Sequence, residues 1–399
     1  PYAFDPPDAA IENLADRLAV VGVENTNALT GRVLAADLRA DRDSPAANVS
    51  AMDGYAVRVE DLKPNQEITV SGVALPGAPP LPMADQAVTQ IFTGALVPAD
   101  ADAVVKREDT IESDGVVRFL EPALSTKPNS NIRFAGENLR RGEVFLSAGC
   151  QVKPAQAAAA TNFGVAHADV FSKVRLAILT TGDELPEGPV DAEIDPWQIR
   201  NSNRTALMTM MDRFRWIASP TVEHVNDSES SLRDTMVRLL ANHDALLLTG
   251  GVSAGDHDYV PGVVRGIGAE VVFHKLPLRP GKPILGAATD EGKLILGLPG
   301  NPVSATMGCR RFAIPLLAKQ SGRIDWSDRP TVVKLVDSGQ KTLPLHWMRG
   351  VKRVGVGTAT PVIGQGSGDL VALARTDGFV EMPPNATGEG PWPYWDWTS

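Results

Sequence analysis

VRLAILTTGDEL, residues 174–185, is an apolar run that breaks off in a polar Thr-Gly-Asp-Glu turn. A continuous apolar run of this length, bounded by turn residues, reads as a strand covered on both faces. Such strands belong to parallel sheets with helices above and below. Helical stretches follow at about 202–215 and 227–242, the second with Leu232, Met236, Leu239 and Leu240 on one face. DALLLTGG (244–251) is a further strand and VPGVVRGIG (260–268) a further helix. EVVFHKL (270–276), PILGAAT (283–289) and KLILGLPG (293–300) read as strands, and NPVSATMGCRRFAIPLLAK (301–319) as a long helix. The alternation predicts an α/β domain on a parallel sheet, with ligands outside the carboxyl ends of its strands.

On either side the pattern differs. Residues 8–22 read as a helix capped by Asp8, with Ile11, Leu14, Leu18 and Val21 on one face, and a short helix is expected over Leu29 to Leu38. From about 41 to 150, short runs such as EITVSGVAL, AVTQIFTG, DAVVKRE and GVVRFL alternate with turn residues, which predicts a β-rich domain. Beyond about 323, TVVKLVD, HWMRGVKRV, TATPVIG and DGFVEMP predict a small C-terminal β domain.

At 399 residues the chain exceeds one ordinary core, and about two to four domains are expected. Apolar residues at 43% and charged residues at 22% describe a folded globular chain. No apolar run nears the roughly 20 residues that span a bilayer. PYAFDPPDAA lacks the features of a signal peptide, and only Cys150 and Cys309 are present, so a reducing, cytoplasmic setting is expected. Without CxxC, HExxH or a histidine cluster, no zinc site is expected. A net charge of -10 argues against a nucleic-acid face, although a few converging cations suffice for a small anion.

Several turns carry chemistry. In TTGDEL, Asp183 and Glu184 either cap a solvated loop or hold a cation and orient water against a phosphoryl centre. In TGGVSAGDHDYV (249–260), glycines let the backbone approach a ligand, N–H groups near a helix start suit phosphate, and Asp256 and Asp258 add acceptors. An ordinary tight turn is the alternative; no Walker A sequence is present. LPGNPVSA (298–305) sets Asn301 near an N-cap, Pro302 at the first helical position and Ser304 in the first turn. KLPLRPGKP (275–283) sets Lys275, Arg279 and Lys282 around a stiff loop, as an oxyanion site or as scattered surface cations. SAMDGYAVR (50–58) and IFTGALVPADADAVVKRED (91–109) carry Asp53 and Thr93 in sequences that structurally read as turn or bulge. PWPYWDWTS (391–399) is either an exposed aromatic patch or a terminal strand.

Taken in order, SAMDGYAVR, IFTGALVPADADAVV, NIRFAGENLRRGEV (131–144), TTGDEL, TGGVSAGDHDY, KLPLRPGKP, GLPGNPVSA and GQGSGDLVALARTDGFVEMP (364–383) resemble the successive blocks of the MoeA-type molybdenum insertases, the molybdopterin molybdenumtransferases. That family includes the gephyrin E domain, and the resemblance runs over about residues 8–384. It implies a multidomain α/β plus β architecture. A linker domain would take 1–23, 40–48 and 138–172, and a β-rich domain II 24–39 and 49–137. A central three-layer α/β molybdopterin-binding domain would take 173–322, and a small C-terminal β-barrel 323–399.

The resemblance further implies transfer of molybdate to the dithiolene of adenylated molybdopterin, with phosphoanhydride hydrolysis, AMP release and Mg2+. It implies a homodimer in which domain II of one chain faces the α/β domain of the other, so that Asp53 and Thr93 act in trans. Asp53, Thr93 and Glu184 match catalytic positions. Gly250, Gly251, Ser253, Asp256, Asp258, Pro299, Asn301 and Ser304 match the pterin-nucleotide cradle. Lys275, Arg279, Lys282, Pro283, Arg349 and Ser367 match the region that holds the molybdate oxyanion. Molybdopterin adenylyltransferase and molybdoenzyme maturation proteins are the implied partners.

Three positions depart from the family pattern: Asn138 and Ser228 stand where Asp is usual, and Arg279 where Lys is usual. Arginine keeps the charge but changes the geometry of oxyanion binding. Two rival readings are a pterin adenylyltransferase of the same α/β type and a slow or non-catalytic paralogue serving as a pterin-binding or scaffold protein. The SAMDGYAVR block argues against the first, and retention of Asp53, Thr93 and Glu184 against the second.

Overall fold

The computed structural model describes residues 6–186, 188–253, 258–327 and 329–397. The chain forms two compact units. One holds the residues up to 36, 148–157 and those from 167 on; the other holds 37–147 and 158–166.

The larger unit is built on a six-stranded sheet, in the order Thr221–Val225, Leu176–Thr181, Ala245–Thr249, Leu294–Leu298, Leu285–Ala288, Glu270–His274. The first four strands run parallel. Leu285–Ala288 runs antiparallel to both of its neighbours, which makes the sheet mixed rather than purely parallel. The reason is chain length: the connections 275–284 and 289–293 are too short for the crossover a parallel pair needs.

Every residue of Leu176–Thr181, Ala245–Thr249 and Leu294–Leu298 is buried, as the apolar runs require. Successive side chains point to opposite faces. Ile178 and Leu247 pack with Leu207, Met211 and Leu14, while Leu179 and Leu246 pack with Leu232, Met236 and Val264. Helices therefore cover both faces and the domain has three layers. Truncating one of these leucines to alanine costs about 2–5 kcal/mol.

Strands Thr331–Leu335, His346–Gly355, Thr358–Pro361, Gly378–Met382 and Trp392–Asp396 close into a five-stranded barrel, because His346–Gly355 pairs with both Thr358–Pro361 and Gly378–Met382. Val333, Leu335, Val351, Ala359, Val380 and Met382 fill it. The aromatic C-terminus supplies its last strand: Trp395 is buried and stacks on Phe379 at 5.5 Å, so among the described residues it forms no exposed patch. A short strand, Leu278–Arg279, leaves the central sheet region and pairs in parallel with His346–Trp347.

The smaller unit carries a six-stranded sheet in the order Ala103–Lys106, Gly54–Val57, Ala87–Ile91, Glu67–Ala74, Val116–Phe119, Thr110–Ser113, over a core of Tyr55, Val57, Ile68, Val88, Val105 and Phe119. This is the β-rich region the sequence predicts.

Two helix expectations fail. No helix forms over Leu29 to Leu38: Gly31 turns the chain at φ +79°, and Val33 and Leu34 instead bridge to Gln151 and Val170. The N-terminal helix is shorter, Pro7–Ala15, and Asp8 lies in its first turn, where it pairs with Arg311 rather than capping.

Candidate active site

Three strand ends converge at the carboxyl edge of the parallel strands. Thr181 closes the first strand, Gly250 and Gly251 follow Thr249, and Gly300 follows Leu298. Gly250 has φ +97°, and a β-carbon there would fall on the Thr181 hydroxyl; one on Gly300 would lie 3.7 Å from the Gly250 α-carbon. At Gly250 only glycine permits this approach. The Thr181 Oγ1 is buried and, among the described residues, has no hydrogen-bond partner. The Asp227 N–H donates to Asp183 Oδ1 at 3.1 Å, which locks the turn against the end of Thr221–Val225, and the Glu184 carboxylate folds back over Gly182. An exposed backbone, a bare hydroxyl and carboxylates at strand ends suit a ligand carrying phosphate and proton donors.

Of the predicted cradle, Gly250, Gly251, Pro299, Asn301 and Ser304 lie at this edge. Ser253 is exposed and Asp258 is half-buried. Asp256 lies outside the described residues. Asn301 occupies the N-cap position of Pro302–Gly308, but its side chain makes no capping bond, while the Ser367 carbonyl accepts from the Val303 N–H at 3.1 Å.

Beside this edge lies a cavity of about 800 Å³. Pro299, Asn301 and Ser304 line it from the strand end, Arg279, Lys282 and Pro283 from the stiff loop, and Arg349 and Ser367 from the barrel and its following loop. Thus five of the six residues expected to hold an oxyanion share one cavity with three cradle residues. Lys275 is not in its lining; its left-handed backbone (φ +71°) closes the hairpin, with its N–H donating to the Ile284 carbonyl at 2.8 Å.

The lining is rich in cations: Arg279, Lys282, Lys341 and Arg349 against Asp337 and Asp369. Asp369 is engaged elsewhere, accepting from the N–H groups of Ala372 and Gln365, which hold its carboxyl below the usual range. Arg349 donates to the Ser338 carbonyl at 2.8 Å and packs 4.4 Å from the centre of the Trp347 ring. Burial lowers its pKa, a sign that the cavity wall disfavours an uncompensated charge.

The cationic wall has a buried anchor. Glu381, in Gly378–Met382, accepts from Arg311 Nε at 2.8 Å and pairs with His346 Nδ1 at 2.8 Å. His346 begins the strand that carries Arg349 and pairs with the strand carrying Arg279. Burial pushes the Glu381 carboxyl up, but His346 and Arg311 outweigh it and hold the group below the ordinary value.

In the smaller unit, Asp53 Oδ1 accepts from both the Thr93 N–H and the Thr93 hydroxyl, each at 2.7 Å. These bonds, with the charge of Arg107, keep the exposed Asp53 carboxyl ionised below the usual range. The two residues predicted from separate blocks are thus one unit, set at the ends of Gly54–Val57 and Ala87–Ile91.

Comparison with known proteins decides the family. The MoeA N-terminal region (domain I and II) matches residues 6–164, the probable molybdopterin binding domain 177–319, and the MoeA C-terminal region (domain IV) 343–390. The molybdopterin molybdenumtransferase of Haemophilus influenzae is 32% identical over 308 residues, 77% of this chain and 74% of that protein. That of Staphylococcus epidermidis is 31% identical over 377 residues, 91% of this chain and 87% of the relative. The chain belongs to the molybdopterin molybdenumtransferase (MoeA) family. Crystal structures of the molybdopterin biosynthesis MoeA protein from Pyrococcus horikoshii share the fold. One has a TM-score of 0.81 at 24% identity over 98% of this chain and 99% of that one. The other has 0.76 at 25% identity over 99% and 100%.

Within this MoeA-family chain the departures have local explanations. The Ser228 hydroxyl caps helix Glu229–Asn242 by accepting from the Ser231 N–H, a task aspartate also performs. Asn138 Oδ1 accepts from Arg133 at 2.9 Å, and Glu137 supplies the carboxylate that pairs with that arginine. Arg279 sits at the edge of the cationic cavity. Sequence reasoning missed Thr181, Asp227, Lys341 and Trp347. Thr181 lies inside the TTGDEL motif and Asp227 adjoins Ser228, whereas Lys341 and Trp347 carry no local signal.

Proposed function

We propose that this chain is a molybdenum insertase that transfers molybdate to the dithiolene of adenylated molybdopterin. Water cleaves the phosphoanhydride, yielding AMP and the pterin phosphate. The observation that carries this reading is the shared wall, Pro299, Asn301 and Ser304, between a strand-end cleft suited to phosphate and a cationic cavity with few free carboxylates. A tetrahedral dianion in the cavity then neighbours a pterin laid across the strand ends, so the two reactants meet without crossing solvent. Glu184, at the edge of the cleft, orients the attacking water and accepts its proton.

Mg2+ fits the donors at the cleft. Among the described residues no three His, Cys, Asp or Glu side chains gather into a metal group. Magnesium, however, typically takes one or two carboxylates with substrate phosphates, and Asp183 lies beside Asp227. When bound, it would neutralise phosphate charge. Asp53 and Thr93 complete the site from the second subunit of a homodimer, the reading favoured by their mutual hydrogen bonds and by their place in a separate compact unit. A molybdopterin adenylyltransferase would supply the substrate and molybdoenzyme maturation proteins would take the product, in the cytoplasm. Among the described residues no helix is long and apolar enough to cross a membrane.

The test is to incubate purified protein with adenylated molybdopterin, molybdate and Mg2+, and to follow products by mass spectrometry. AMP together with metal-loaded pterin is expected. Intact substrate in the presence of folded protein would reject the reading.

A further inference from the structure

We propose that Lys341 is a further oxyanion-binding residue and that Trp347 is the residue that positions it. The proposal rests on the reading of the cationic cavity as the molybdate site.

Two cations share one indole. The Arg349 guanidinium carbon lies 4.4 Å from the centre of the Trp347 ring and the Lys341 ammonium 5.6 Å from it. Both lie within the range in which a ring face attracts a cation. Among the described residues neither has an ion-pair partner: Arg349 donates to a carbonyl and to the Met382 sulfur, both uncharged. Arg279 and Lys282 line the same cavity, and Asp369 is committed to backbone amides.

The ring offsets part of the repulsion between the two cations and leaves the rest. A tetrahedral dianion between them removes it, and each gains a charge-assisted hydrogen bond. The loop carrying Lys341 is fixed on both sides. The Arg349 side chain donates to the Ser338 carbonyl at 2.8 Å, and the Asn385 N–H donates to the Leu343 carbonyl at 2.6 Å. Lys341 lies between these ties, exposed in the loop, on a flexible stem. Its ammonium can therefore leave the ring for an oxyanion without moving the barrel strand. Trp347, half-buried against the barrel core, is rigid enough to hold the ammonium at the cavity until then.

Sodium molybdate is titrated calorimetrically into wild type, Lys341→Ala, Lys341→Arg and Trp347→Leu at low ionic strength, with tryptophan emission followed in parallel. Lys341→Ala should weaken binding about tenfold and flatten its salt dependence, as one charge-assisted contact and one charge are lost. Lys341→Arg should stay within about threefold of wild type. Molybdate should change the indole emission of wild type, a signature that a purely structural role would not produce, and Trp347→Leu should abolish most of that change, which assigns it to this ring. Wild-type affinity in Lys341→Ala overturns the proposal, whether or not the tryptophan variants fold. If wild type itself takes up neither molybdate nor tungstate, the reading of the cavity fails and this proposal with it. If Lys341→Ala alone is unaffected, the cavity reading stands and only the role of Lys341 is rejected.

Discussion

The strand-end cleft and the cationic cavity adjoin, yet they are assembled in opposite ways. The cleft consists of turns that each follow directly on a buried strand, GDEL after Leu176–Thr181 and Gly250-Gly251 after Ala245–Thr249. Its geometry is backbone geometry, held by a core buried on both faces. The cavity takes residues from 278–283, 299–307, 337–350 and 361–376, and its charges sit on long side chains brought together by barrel closure. A backbone site is robust to side-chain loss beyond its chemical groups. A side-chain site depends on whatever holds its strands in place.

The anchor of the cavity gives the largest effect. Glu381→Gln keeps size but removes the charge that Arg311 and His346 face, and breaking such a buried pair costs about 3 kcal/mol. Chemical denaturation should report that loss, together with weaker molybdate binding. The folded carboxyl of Glu381 is depressed below its unfolded value. Its share of stability is therefore present at neutral pH and lost as pH falls through the ordinary carboxylate value toward its own. The two proteins should accordingly converge in acid; a constant gap at all pH values would assign the loss to packing.

Glu184→Gln tests the other side. AMP release should fall about 100-fold or more, the range of a general base, with molybdate affinity and melting temperature little changed. Near-normal release by folded protein would remove Glu184 from the chemistry and leave Asp183 as the candidate carboxylate. Next comes Arg349→Ala, which should weaken molybdate about tenfold or more, as a charged hydrogen bond contributes about 1.5–3 kcal/mol, while AMP binding stays near wild type. Equal loss of both ligands would erase the division between cleft and cavity.

Lys275→Ala should do least, leaving molybdate affinity within about twofold, because its side chain is absent from the cavity lining. Lys282→Ala is the matched control, with a loss of the Arg349 kind expected. If Lys275 proves as costly as Lys282, the cationic loop acts as a field rather than through contacts.

Much of the cleft was legible in the sequence because its determinants are local. An apolar run of strand length cannot face water, so Leu176–Thr181 is buried, and the polar residues that end it must lie at the sheet edge. Gly250 is needed where a β-carbon would strike Thr181, and a Gly-Gly turn after an apolar strand announces such an approach. Where local signals conflicted, tertiary context prevailed. The stretch over Leu29 to Leu38 reads as helical by composition, yet its backbone groups are taken by bridges to Gln151 and Val170, residues more than a hundred positions away. The antiparallel strand Leu285–Ala288 follows from loop length, which apolar periodicity does not record.

By itself, then, the sequence determined which strands are buried, which turns end them and which residues the MoeA blocks mark. Each of these depends on neighbours a few positions apart. Tertiary structure alone decided that Lys275 stands outside the cationic cavity while Lys282, seven positions on, lines it. It also tied Arg311 to Glu381 and His346. Those relations arise from closure of the barrel and from the pairing of Leu278–Arg279 with its strand. Both bring distant segments into register through hydrogen bonds that leave no periodic trace in the chain.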